Sequence, residues 1–179
     1  MNETKRTATS WLTVGGLAGA ILALLLFLDL FAPWRSTLIW REVFNFGHVP
    51  LFGVVSVLLL RLTRAVAGDR LTILIQYALA FAVAGCLAAL SEAVQIAGPR
   101  DADLLDFLSD ILGVISFLLV HLAEDRNARS SFAALASRRS RTLIRIAGIG
   151  IILFAAIPLI QVTSAWVSRN NAYPTLFTF

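Results

Sequence analysis

The residues with chemistry in them concentrate in one stretch, 91–113, which reads SEAVQIAGPRDADLLDFLSDILG. It sets Glu92, Gln95, Arg100, Asp103, Asp106 and Asp110 between two apolar runs, each long enough to span a bilayer. A charge at the centre of a membrane helix costs about 2.5–3.5 kcal/mol on insertion scales, so acids there pair, face a cavity or sit at the interface, and they mark function by default. Glu92 and Gln95 are three apart, and Asp103, Asp106 and Asp110 fall at i, i+3 and i+7, so each set occupies one helical face. His48, at the start of an earlier apolar run, adds an imidazole. His48 with Glu92, Asp106 and Asp110 is then a set from which a general base, or ligands for Mg²⁺ or Mn²⁺ rather than zinc, would be drawn.

Each of these residues also has a plain structural reading. Arg100 either closes the turn between two helices by pairing with Asp101, Asp103 or Glu92, or grips an anionic headgroup bidentately. Asp106 and Asp110 suit the positive end of a helix dipole, although Asp110 lies two turns in. His48 reads as a hydrogen-bonded helix-end histidine, Gln95 as an interhelical hydrogen-bond donor, and Gly113 as a point of close helix approach.

Composition says what must position them. Of 179 residues 58% are hydrophobic, and the mean hydropathy is +0.81, so the expected class is all-α: a polytopic membrane helix bundle with about five transmembrane helices. The net charge of +4 is carried by arginines in short segments between apolar runs, which read as topology signals and not as a nucleic-acid stripe. The single cysteine, Cys86, excludes an intramolecular disulfide and a cysteine metal cluster. No metal or cofactor is expected from a motif: neither H-E-x-x-H nor a phosphate-binding loop occurs. Five helices without an inverted repeat argue against a transporter.

The expected spans are 11–31, 46–62, 71–96, 102–122 and 142–162. The first is longer than a signal-peptide core and reads as a retained anchor. Residues 32–45, with Trp34, Trp40, Arg35 and Arg41, read as a connector at headgroup level. Pro50 falls near the first turn of the second span, and Pro158 is the expected kink of the fifth. Gly98-Pro99 stops the third helix. Residues 123–141 form an arginine-rich cytoplasmic connector with room for an amphipathic surface helix, and 142–179 carry the fifth span and a short extracytoplasmic tail. With the amino terminus cytoplasmic, 11 of the 15 Lys and Arg residues fall inside, leaving Arg35, Arg41, Arg100 and Arg169 outside. This positive-inside bias predicts an extracytoplasmic carboxyl terminus in a plasma (inner) membrane protein, and it puts His48, Glu92, Gln95, Arg100, Asp103, Asp106 and Asp110 at the outer face.

Glu92-x-x-Gln95, then Arg100, then Asp106 and Gly113, with His48 near the start of the preceding helix, resembles the VanZ-like family. That family's signature runs E-x-x-Q, a short loop ending in Arg, and D-x-x-x-N-x-x-G on the next helix. The resemblance covers about residues 11–122; Asp110 stands where the family usually has Asn, and Phe44-Asn45 where many members have Asp-Lys. It implies a polytopic core without an established reaction, tied to accessory resistance against a lipidated glycopeptide. The expected function is therefore binding of an envelope lipid, cell-wall intermediate or lipoglycopeptide-type amphiphile in an outward-facing polar site, with the lipid bilayer as partner. The alternative is an intramembrane, metal-assisted phosphoester hydrolase or transferase.

Overall fold

The computed structural model describes residues 3–30, 38–96 and 104–172, with side chains placed for 11–26, 38–68, 70–94 and 104–172. Every regular element among them is helical: α1 (Glu3–Leu30), α2 (Leu38–Ala67), α3 (Ile73–Ile96), α4 (Leu104–Glu124), α5 (Arg126–Ser131), α6 (Arg138–Ala155) and α7 (Ile157–Ala172). Short 3-10 turns occupy Gly68–Arg70 and Ala133–Leu135. Among the described residues three helices, α2, α3 and α4, are long and apolar enough to cross a membrane, and α6 with α7 make a fourth if that pair, bent by 44°, is one span. The described apolar part of α1, Trp11–Leu26, is shorter.

The elements differ from the expected spans at three places. Residues 38–45 are not connector but the opening turns of α2, which runs for 30 residues and packs against α1, α3, α4 and α7. Pro50 consequently lies well inside α2, where it removes the N–H that would have bonded the Phe46 carbonyl. The bend of the last apolar segment falls at Ala156, and Pro158 sits in the first turn of α7, where a missing N–H costs least. In the arginine-rich stretch the surface helix is only the six-residue α5; the Asp125 side chain caps it by accepting the Asn127 N–H at 2.9 Å.

Two helices fix the register of the rest. His48 of α2 meets Asp110 of α4, and Arg64 of α2 meets Asp125 just past α4, pairs separated by 62 and 61 residues; α2 and α4 are therefore parallel neighbours in constant register. α3 runs antiparallel between their ends. Phe52, Val55, Leu59 and Leu60 of α2, Val114 and Leu118 of α4 and the alanine row Ala80, Ala84 and Ala88 of α3 make the buried core between them. The turn from α2 into α3 is made by Gly68, whose φ of +55° favours glycine.

Gly113 is where α2 and α4 come closest, since a Cβ there would strike the backbone carbonyl of Val49, which cannot move aside as a side-chain tip would. Gly113→Leu is expected to destabilise the bundle by about 1–3 kcal/mol, the usual cost of overpacking. Gly150→Ala, inside α6 where nothing lies within 4 Å of the added carbon, is expected to cause no loss of stability. Thermal unfolding of both variants in detergent checks the pair.

Candidate functional site

Three helix ends build the site. α4 carries Asp106 in its first turn and Asp110 one turn further, both turned inward because Gly113 and Val114 on the same side of α4 pack onto α2. α2 brings His48, and α3 brings Glu92 in its last two turns. All four are buried: Asp110 has no exposed surface, and His48, Asp106 and Glu92 keep 4%, 6% and 9% of theirs. His48 Nδ1 lies 2.8 Å from Asp110 Oδ1, and Glu92 and Asp106 are within electrostatic reach of both partners. Asp110 Oδ2 has no hydrogen-bond partner among the described residues. The imidazole is therefore fixed through Nδ1, with Nε2 as its second ring nitrogen.

Asp106 has a second neighbour that the sequence did not single out. With its amide nitrogen turned inward, Asn45 of α2 donates to Asp106 Oδ1 at 3.3 Å and to the Arg41 carbonyl at 3.1 Å. This contact opens onto a groove of about 860 Å³ between α2, α4 and the α6–α7 bend. Its polar end is made by Arg41, Glu42, Asn45, Asp106 and Ser109, with Arg41 paired to Glu42 at 3.3 Å; its walls are Phe46, Leu105, Leu108, Leu112, Phe154 and Leu159. His48, Glu92 and Asp110 do not line the groove, so Asp106 is the residue common to the groove and the buried cluster.

The expected constellation is thus partly assembled. His48, Glu92, Asp106 and Asp110 come together, and α3 carries Gln95 without its side chain being described. Arg100 and Asp103, with the expected Arg100 ion pair, lie outside the described residues. Among the described residues no three His, Cys, Asp or Glu side chains are placed to hold a metal ion together, so His48 and the three acids do not fit the metal set that their types suggested.

A second polar cluster at the opposite end of the same three helices escaped the sequence reading. Arg64 donates through Nε to Gln76 Oε1 at 3.0 Å and through Nη2 to Asp125 Oδ2 at 2.5 Å. Tyr77 donates to the same Asp125 oxygen at 3.0 Å while its hydroxyl lies 2.9 Å from His121 Nδ1. Gln76 in turn donates to the Leu71 carbonyl at 3.0 Å. Adjacent Gln and Tyr near the start of α3, ahead of a long apolar run, and His and Asp four apart at the end of α4, were the available signals. No known protein family, curated protein or solved structure matches the chain.

Asp125 lies beyond the last spanning residue of α4. Its burial pushes the carboxyl up, but the hydrogen bonds from Arg64 and Tyr77, the Arg64 charge and the Asn127 N–H outweigh that and hold it below the ordinary 3.8. A depressed carboxylate contributes stability that is complete above the unfolded value and is lost as the pH falls from there through the depressed one. Melting temperature measured from about pH 6 down to pH 3 is expected to fall more steeply below about pH 4 in the wild type than in Asp125→Asn, which starts lower and lacks this component.

Proposed function

We propose that this chain is a VanZ-like, multi-pass plasma-membrane protein that holds an amphiphile, an envelope lipid, cell-wall intermediate or lipoglycopeptide-type compound, with its polar head at Asp106 and its apolar part along the groove. The groove carries the reading: one end is charged and hydrogen-bonding, the walls are apolar, and its size is that of a small-molecule site. The buried cluster behind Asp106 supports it. His48, Asn45 and Asp110 hold α2 and α4 in the register that sets Asp106 at the groove's polar end, so the head meets groups that do not have to reorganise. In the orientation favoured by the arginine distribution, with α1 as a further crossing and five in all, the groove opens on the extracytoplasmic side.

The second reading is an intramembrane phosphoester hydrolase or transferase, and the His48–Asp110 contact is what favours it. A carboxylate that fixes an imidazole through Nδ1 prepares Nε2 as a general base. Against it, the imidazole is off the groove and the described side chains do not make a metal set.

Native mass spectrometry of the full chain, extracted from its membrane in mild detergent, separates the outcomes. The wild type is expected to retain an amphiphile of discrete mass. Leu108→Trp, which fills the groove, is expected to reduce its occupancy at least ten-fold, while Leu79→Trp, on the exposed face of α3 and away from both cavities, leaves it unchanged. A wild type that retains nothing, or two Trp variants that behave alike, would contradict binding in the groove. A phosphoester-cleaving activity abolished by both His48→Gln and Asp110→Asn would transfer the function to the second reading.

A further inference from the structure

At the arginine-rich end of the bundle, opposite the groove, lies a second cavity of about 610 Å³ between the end of α2, the start of α3 and α5. Its polar lining is Arg64, Thr72, Gln76, Asn127, Ser130 and Ser131; Leu71, Ile73, Leu74 and Phe132 form the apolar side. The floor of the cavity is a guanidinium that does not move freely. Gln76 and Asp125 hold Arg64 through Nε and Nη2, and its Cζ lies 5.6 Å from the centre of the Tyr77 ring. Nη1 makes no hydrogen bond among the described residues. Holding one edge of the fork in advance removes most of the rotamer entropy that a free arginine would lose on gripping a ligand.

Charge decides what the ligand is. The described acids at this end are already engaged, Glu124 by Arg129 and Arg145, Asp125 by Arg64, while Arg61, Arg70 and Arg126 have no acidic partner among the described residues. A cavity lined by a fixed guanidinium and neutral hydrogen-bonding side chains, at the end of the bundle that also carries Arg61, Arg70 and Arg126, suits an anion with several acceptor oxygens. The apolar side, where Leu74 stays 65% exposed, lets a hydrocarbon chain continue from it.

We infer that the Arg64 cavity binds a phosphate group of net negative charge, carried either by a phospholipid headgroup of the leaflet at this end or by a soluble phosphate. This site is independent of the groove at the other end, and either can fail without the other.

The test uses the full chain in a neutral detergent, titrated in one arm with phosphatidylglycerol in mixed micelles and in the other with inorganic phosphate, with phosphatidylcholine as the uncharged reference. Melting temperature and a binding isotherm are read in each. Because Arg64→Gln would strand the buried Asp125 carboxylate, the discriminating variants are at Ser131, whose exposed side chain bonds only its own helix at the Asn127 carbonyl. Saturable binding is expected in the wild type, and binding at least ten-fold weaker in Ser131→Glu, whose carboxylate repels the ligand, than in Ser131→Gln, which adds the same bulk without charge. Saturation by phosphatidylglycerol alone assigns a lipid headgroup, and saturation by inorganic phosphate as well assigns a soluble source. Binding in neither arm, or equal effects of the Gln and Glu substitutions, would overturn the inference.

Discussion

Both polar end clusters of the described helices depend on the parallel seam between α2 and α4. Gly113 lets the two backbones meet at Val49, and the buried contact of His48 with Asp110 sets which residues then face each other. Once that register holds, Asn45 falls beside Asp106 at one end and Arg64 beside Asp125 at the other. The core between the ends, built from Phe52, Val55, Leu59, Val114 and Leu118, contains Ser56 and Ser116, whose hydroxyls return to carbonyls of their own helices, those of Gly53 and Gly113. The ionisable side chains along this seam are thus sorted into two end clusters separated by an apolar middle.

That sorting follows from the solvent. In hydrocarbon, helices gain little from burying apolar side chains against each other, because lipid tails are as apolar as leucine; close packing and interhelical hydrogen bonds do the associating. The alanine row of α3 and Gly113 of α4 supply the close approach, and the two end clusters supply bonds that a slipped register would break. Keeping the clusters at the helix ends limits the desolvation cost of their charges, since depth in the bilayer sets that cost. The same placement puts both cavities at ends of the apolar helices, each with polar and apolar lining side by side.

Much of this was legible in the residues. The hydropathy pattern marks α2, α3 and α4, and the spacing of Glu92, Asp106 and Asp110 together with His48 marks one end cluster. The opening of α2 was missed because Trp40, Arg41 and Glu42 carry interfacial side chains that do not distinguish a connector from the protruding turns of a long helix. The Arg64, Gln76, Tyr77, His121 and Asp125 cluster was missed for a different reason. Its members are scattered over four segments, and only the packing of α3 across the α2–α4 seam makes them neighbours. The groove had no sequence signature at all, since it exists because the chain bends at Ala156 and leaves room beside α4.

The central claim is that the His48–Asp110 contact holds the seam and through it the placement of Asp106. A double-mutant cycle with His48→Gln and Asp110→Asn, read from unfolding in mixed micelles, tests it most directly. The account predicts a coupling of roughly 1–3 kcal/mol, as for a buried contact in one hydrogen-bonded network. Effects that add within about 0.5 kcal/mol would show two independent side chains and contradict it.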